Sequence, residues 1–424
     1  MGIETAVPGH MGGIEIRDET KWKNDRWWVS PYNFIEETKV EFPKGIQFED
    51  ITLRDGEQQA GVVLRKEDKV SIANKLVEVG VDRIEAGMPA VSEDDKAAVK
   101  LIASEVDAKI FAFTRCMTSD VDLALECDVD GIIMEIPSSP HILEYAYGWS
   151  LETAMEKSIK ATAYAGEHGM YTCFFCIDST RADLEWYLEL LNKVITEGHA
   201  DSVALVDTFG VCTPETIRYL TKRVVERIKK PVELHMHNDF GLAVANSIAG
   251  LQAGGEVVHT TVNAIGERLG NCALEEILCA LQMLYGVDLP NIRFEELYAL
   301  SKLVQERTNV MMPNNKSIVG DNFFVSESGI VIGWWERLKR LNMPLVMFPI
   351  HPRTIGQDDV RVVLGKKSGI ASIRMKAEEL GLPEPTEDLA MKILERVKQY
   401  AIENKRILTN EEFEEIAKEF LPRK

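Results

Sequence analysis

Between about residue 45 and residue 288, short apolar runs alternate with stretches of amphipathic, helix-like period. The runs are GIQFEDITL, RIEAGM, IFAFTR, GIIMEIP, YTCFFC, SVALVDT, VELHMHN and VVHTTVN. They are short and mostly apolar, the pattern of buried parallel strands. Each precedes a helix-like segment such as Lys66–Val79, Leu151–Glu167 or Pro214–Lys229. Eight strand–helix repeats predict an α/β fold with a parallel sheet, and eight units can close into a (β/α)8 TIM barrel. The competing arrangement is an open, doubly wound sheet. It is disfavoured because no glycine-rich dinucleotide turn follows the first run.

Polar residues gather at the C-terminal ends of these runs, where a barrel keeps its active site. Arg54 and Asp55 end the first, Arg115 the third, and Ser138 and Ser139 lie just beyond the fourth. Asp207 and Thr208 end the sixth, His235 and His237 the seventh, and Asn263 the eighth. After Leu289 the pattern changes. A helical stretch, Arg293–Arg307, leads into the glycine- and aromatic-containing segment NFFVSESGIVIGWWERL and then FPIHPRTIGQDDVRVVLGKKSG. Helices are predicted around Ala371–Leu380, Thr386–Asn404 and Asn410–Phe420. The expected organisation is an N-terminal extension over 1–44, a barrel over 45–288 and a mostly helical accessory domain over 289–424. That domain is expected to act as a lid or to embrace a partner subunit. The extension, with Trp27 and Trp28, is expected to dock on the surface or on a partner.

Composition narrows the function classes. A formal net charge of −20 over 424 residues repels phosphate backbones and anionic membrane surfaces, so neither nucleic acid nor membrane is an expected partner. No run approaches a membrane span, and the first residues lack the apolar core of a signal peptide. The seven cysteines are scattered. Cys173 and Cys176, three apart on a strand, point to opposite faces and read as core thiols, which fits a reducing cytoplasm.

The sharpest chemical signal is H-M-H at 235–237. Residues two apart on a strand share a face, so both imidazoles can reach one ion. Asp55 lies two strands away around a ring of eight and supplies a carboxylate. That donor set suits Mn2+, Mg2+, Zn2+ or Co2+. The plainer reading is two histidines capping a strand end. Arg54 stands beside Asp55 in LRDGEQ, and both reach the mouth only where the strand breaks, which Gly56 permits. A guanidinium there can stabilise an enolate or alkoxide oxygen, or simply form a salt bridge.

Together, ITLRDGEQQAGV, IEAGMPAVSEDD, VDTFGVCTPE, HMHNDFGLAVANSIAGLQAG and TVNAIGERLGNCALEEI resemble the 2-isopropylmalate, homocitrate and citramalate synthases. These belong to the metal-dependent DRE-type TIM-barrel superfamily that also holds hydroxymethylglutaryl-CoA lyase. The resemblance is strong over roughly 45–290 and weaker through VRVVLGKKSG and the terminal helices. It implies Asp55, His235, His237 and Asn271 as metal ligands and Arg54 as the catalytic arginine. Arg115 and Thr208 would bind the 2-oxo acid, with Glu267 supporting the loop of Asn271; Arg54 and Ser139, from their places at strand ends, are further candidate substrate-binding residues. The implied reaction is a Claisen-type condensation of acetyl-CoA with a 2-oxo acid, giving a 2-hydroxy-dicarboxylic acid in amino-acid biosynthesis. A cytoplasmic homodimer or higher homo-oligomer, with manganese among the candidate ions, is the implied setting.

Three positions depart from that family. Ile177, followed by Asp178, stands where the synthases place a glutamate after the fifth strand. Val331 stands where they carry a histidine in S-G-x-H, and Lys367 replaces the histidine of G-K-H-S-G. Asp178 and His351 are the candidate replacements for the missing base. Three readings follow: an acyltransferase (synthase) of unusual specificity, a metal-dependent lyase or aldolase cleaving a hydroxy acid or hydroxyacyl-CoA, and a non-catalytic protein that keeps the barrel.

Overall fold

The computed structural model describes residues 20–421 and, before them, only the backbone of residues 10, 11, 14, 15 and 19. Eight parallel strands close a barrel. They are β1 (Gln47–Asp50), β2 (Arg83–Glu85), β3 (Lys109–Arg115), β4 (Gly131–Pro137), β5 (Tyr171–Ile177), β6 (Ser202–Asp207), β7 (Val232–Met236) and β8 (Val257–Thr260). Closure is made by β8 against β1, in the register Val257↔Gln47 to Thr260↔Asp50. The connecting helices are α1 (Lys66–Val79), α2 (Glu93–Glu105), α3 (Thr118–Glu126), α4 (Leu151–Glu167), α5 (Leu184–Glu197), α6 (Pro214–Ile228), α7 (Ala243–Gln252) and α8 (Leu274–Cys279). A ninth helix, α9 (Leu297–Thr308), packs on α1. Ser92, Ser150, Asp183 and Thr213 each accept a hydrogen bond from the backbone N–H three residues on, starting α2, α4, α5 and α6. Such caps contribute about 1 kcal/mol each and explain why these helices begin where they do.

Alternate residues of each strand face the barrel interior, and the interior has two unlike halves. Phe111, Phe113, Ile133, Cys173, Phe175, Ala204 and Val206 form an apolar cluster. Opposite them are charges: Glu49 on β1, Arg83 and Glu85 on β2, Glu233 and His235 on β7, and His259 on β8, all buried. All seven cysteines are buried free thiols.

The first strand ends sooner than the run GIQFEDITL suggests. The backbone N–H groups of Arg54, Asp55 and Gly56 all return to the Ile51 carbonyl, at 3.1, 2.9 and 3.2 Å. This tight turn carries both Arg54 and Asp55 to the mouth. Gly56 packs closely: a Cβ there would stand 3.1 Å from the Ile265 side chain, which would have to give by a few tenths of an ångström.

Residues Glu36–Met312 form one compact unit, and the described residues before Glu36 form another with those from Pro313 onward. In the second unit a short parallel pair, β9 (Val325–Ser326) and β10 (Arg361–Val362), accompanies α10 (Gly329–Arg340), α11 (Ile370–Glu379), α12 (Glu387–Asn404) and α13 (Asn410–Phe420). The segment GIVIGWWERL is helical despite two glycines, because Ile332 and Trp335 lie on one buried face with Val362. Trp334 points to solvent. Trp27 bridges to Ile350, and the Trp28 N–H bonds the Pro349 carbonyl at 2.9 Å. No described helix is long and apolar enough to cross a membrane.

Candidate metal centre at the barrel mouth

Asp55, His235 and His237 converge, with one potential ligand atom from each within 4.8 Å of the others. His235 Nε2 and His237 Nε2 face one another at 3.1 Å, and Asp55 Oδ2 lies 3.8 and 3.9 Å from them. All three side chains are buried. Burial, helped by the neighbouring rings His237 and His259, holds the His235 imidazole well below its ordinary pKa. Burial likewise lowers that of His237, against the pull of Asp55. Burial would raise the Asp55 carboxyl, but Arg54, His237 and a hydrogen bond from Asn271 hold it below its usual value. Neutral imidazoles and an ionised carboxylate are the states in which these groups coordinate a cation.

Asn271 is brought to this cluster by the loop after β8. Its Nδ2 donates to Asp55 Oδ1 at 2.7 Å, while its buried Oδ1 has no hydrogen-bond partner among the described residues. An orphaned amide oxygen on a residue bonded to the Asp55 carboxylate, in a cluster with two facing imidazole nitrogens, suits a fourth ligand to a divalent ion. The loop closes that tightly because Gly266 has φ +147°; a Cβ there would stand 2.2 Å from Asn271 Nδ2 and 2.7 Å from Asp55 Oδ1. The Glu267 backbone N–H reaches Asp55 Oδ1 at 3.3 Å, so Glu267 meets the cluster through its main chain. Asn263, which also stands after β8, turns away. Its amide is satisfied by Ser301 of α9 through Nδ2 (3.1 Å to the carbonyl) and Oδ1 (2.6 Å from the hydroxyl).

Arg54 is buried against this site. Its Nε and Nη2 donate to Glu85, and Nη1 donates to Asp55 Oδ2 (2.8 Å) and Gln58 Oε1 (3.3 Å). Its guanidinium carbon lies 4.0 Å from the centroid of the Phe113 ring. Burial opposes the charge, but Glu85 and Asp55 raise the pKa, keeping the cation permanent. Four of its five N–H groups are thus engaged, leaving one on Nη2.

The remaining sequence-derived residues fall into different settings. Among the described residues the buried Ser139 hydroxyl has no hydrogen-bond partner, and Thr208 Oγ1 accepts from the Asp178 N–H at 2.8 Å, leaving its proton free to donate. Arg115 is half-exposed and bound through two nitrogens to Asp120, at 2.8 and 2.9 Å. Asp178, at φ +59°, is buried with both oxygens engaged: Arg181 Nε and Nη2 at 2.7 and 2.9 Å, and His141 Nε2 at 2.9 Å. His351 belongs to the other compact unit, where its Nδ1 accepts from the Arg353 N–H at 3.3 Å.

Two features escaped the sequence reading. Glu135 stands on the inner face of β4, paired in register with Arg115 and Phe175. Its carboxylate has no hydrogen-bond partner among the described residues, and burial, opposed by Arg54 and Arg115, pushes its pKa up to about 7. A lone acid inside GIIMEIP, a strand otherwise apolar, was the available signal. Beneath the mouth, His259 Nδ1 lies 3.3 Å from His235 Nδ1, and His259 Nε2 lies 2.8 Å from Glu233 Oε2. Arg83 Nη1 donates to Glu233 Oε1 at 3.0 Å, and Ser202 Oγ donates to the same oxygen at 2.6 Å. Charges inside RIEAGM, VELHMHN and VVHTTVN were the signal there.

Residues 45–304 match the family described as HMGL-like. The chain is 42% identical to homocitrate synthase AksA of Methanothermobacter thermautotrophicus, over 88% of this chain and 93% of that protein. It is 44% identical to a probable 2-isopropylmalate synthase of Methanopyrus kandleri, over 84% of this chain and 70% of that protein. The hydroxymethylglutaryl-CoA lyase structure from Pseudomonas aeruginosa superposes with a TM-score of 0.57 at 20% identity, covering 66% of this chain and 97% of that one. At that identity the likeness is one of fold. With a barrel of this topology and a family match running from its first strand into α9, the chain belongs to the HMGL-like family.

Proposed function

We propose that this protein is a divalent-metal-dependent acyltransferase that condenses acetyl-CoA with a 2-oxo acid to give a 2-hydroxy-dicarboxylic acid. The observation that carries the reading is the coincidence of two things. Relatives named as synthases are 42–44% identical over most of this chain, and ligand atoms of Asp55, His235 and His237 cluster at the barrel mouth with Asn271 hydrogen-bonded to Asp55. A divalent ion held by them would polarise the ketone of the 2-oxo acid as a Lewis acid.

The chain's own residues supply the rest. The free Nη2–H of Arg54 stabilises oxygen charge developing at the ketone, from a guanidinium already fixed by Glu85 and Asp55. The free proton of Thr208 and the unpartnered hydroxyl of Ser139 are donors for the substrate carboxylate. Of the groups that could take the methyl proton of acetyl-CoA, Asp178 is engaged at both oxygens and His351 caps its own turn. Glu135 has no such tie and a pKa near neutrality, the range a general base needs, and we assign the proton to it. The carbanion equivalent then adds to the ketone carbon, the alkoxide so formed takes up a proton to become the 2-hydroxyl, and water cleaves the thioester to a carboxylate and free CoA. Ile177 and Met88 pack against the apolar cluster of Phe113 and Phe175, which favours a 2-oxo acid with an aliphatic side chain.

The test is thiol release by metal-reconstituted protein from acetyl-CoA with pyruvate, oxaloacetate, 2-oxoglutarate, 2-oxoisovalerate and glyoxylate in turn. Release of CoA with an aliphatic member supports the reading. No release from any, with the ion bound, rejects condensation and directs the search to cleavage of hydroxy acids or hydroxyacyl-CoAs.

A further inference from the structure

Glu49, Glu233 and His259 make a second buried group whose ligand atoms lie within 4.8 Å of one another. A cation is already supplied there by the chain. Arg83 Nη1 stands 3.0 Å from Glu233 and 3.5 Å from Glu49, and His259 Nε2 is committed to Glu233. What the group does have is an outlet toward the mouth, the 3.3 Å contact between His259 Nδ1 and His235 Nδ1.

We propose that Glu233 and His259 are positioning residues that fix the tautomer of His235, so that its Nε2 lone pair faces Asp55 and His237. The inference rests on reading Asp55, His235, His237 and Asn271 as the cation site. The logic follows from donor and acceptor inventories. Glu233, ionised, only accepts, so His259 Nε2 carries a hydrogen. A neutral His259 then has its lone pair on Nδ1, and the contact with His235 requires a hydrogen on His235 Nδ1. A neutral His235 so protonated has its lone pair on Nε2, the atom 3.1 Å from His237 Nε2 and 3.8 Å from Asp55 Oδ2. Arg83 and Ser202 hold Glu233 in place, and the Phe175 ring sits 4.9 Å from the His235 ring, edge to face. His237 has no corresponding support, since its buried Nδ1 makes no hydrogen bond among the described residues. Against burial, Glu233 and Glu49 raise the His259 pKa, and a second proton on His259 would reverse the contact and place a hydrogen on His235 Nε2, the form that a 15N spectrum distinguishes. Hydrogen bonds of this kind to a ligating histidine change metal affinity by roughly 10- to 100-fold.

The experiment compares Mn2+ dissociation constants of the full chain and of His259→Leu, His259→Asn and Glu233→Gln, with melting curves for each. It adds 15N spectra of histidine-labelled wild type in its Mg2+ form. The asparagine keeps an acceptor near the Nδ1 position; leucine does not. Glu233→Gln offers His259 Nε2 a donor and so favours the opposite tautomer. The expected result is affinity at least ~10-fold weaker in His259→Leu and Glu233→Gln, recovery in His259→Asn, and an Nδ1–H tautomer for His235. Equal affinity in all four proteins, or equal loss in His259→Leu and His259→Asn, would overturn the proposal, as would an Nε2–H tautomer in wild type. If a variant does not fold, the wild-type spectrum still decides. Wild type that binds no Mn2+ or Mg2+ would instead reject the cation site itself.

Discussion

Glu135→Gln isolates the effect of one buried carboxyl. In the folded protein Glu135 has a pKa of about 7 against an ordinary value of 4.5, because burial outweighs the attraction of Arg54 and Arg115. Glu85 and Asp120 add to the rise, and the Tyr147 hydroxyl shares the same surroundings. A folded-state pKa above the unfolded one means that the folded chain holds the proton more tightly. Stability is therefore lost as pH rises from about 4.5 through about 7, and the loss persists above. At roughly 1.36 kcal/mol per pH unit, the difference corresponds to about 3 kcal/mol, a ceiling because the side chain is not wholly sequestered. Glutamine never ionises, so Glu135→Gln escapes this penalty. Melting temperatures of chelator-treated wild type and variant, measured from pH 4.5 to 8.5, should separate steadily, the variant gaining several degrees at the alkaline end. Titrating groups that do not interact with Glu135 cancel in the difference. Parallel curves across that range would refute the argument, and with it the assignment of the proton-abstracting role to Glu135. If that role is correct, the same variant binds the 2-oxo acid but turns over poorly.

Other outcomes follow from the same geometry. His235→Ala should lose metal retention and turnover together, because three donors remain; full occupancy by elemental analysis would contradict the ligand set. Arg54→Ala should keep the ion but lose at least ~100-fold in turnover. It should also destabilise the fold by about 3–5 kcal/mol, since Glu85 is left buried without its partner; unchanged kinetics would reject the role. Gly266→Ala should weaken metal binding by driving a Cβ into Asn271 and Asp55, and calorimetric titration giving wild-type affinity would show that the loop relaxes freely. Chelation should lower the melting temperature as well as activity, since an ion at 100 times its dissociation constant stabilises by about 2.7 kcal/mol; an unchanged melting curve would argue against a bound ion.

The periodicity of apolar runs was sufficient to read the barrel, because parallel strands buried on both faces and helices buried on one leave different signatures. The pairing of His235 with His237 was equally legible, since a strand repeats every two residues. Other features depended on contacts between elements distant in sequence. Asn263 and Asn271 both follow β8, and only the fold shows that Ser301 of α9 takes the first while Asp55 takes the second. The β1 strand stops at Asp50 because three backbone N–H groups converge on the Ile51 carbonyl, a turn that the apolar run GIQFEDITL concealed. Asp178 carries its charge into a pocket where Arg181 and His141 consume it, whereas the Glu135 carboxylate has no hydrogen-bond partner among the described residues. The relay from Glu233 through His259 to His235 draws on β7 and β8 at once. Sequence determined which side chains face inward, since that follows from local backbone period. Tertiary structure decided which inward-facing charges neutralise one another and which remain available, since that depends on distances of a few ångströms across the closed barrel.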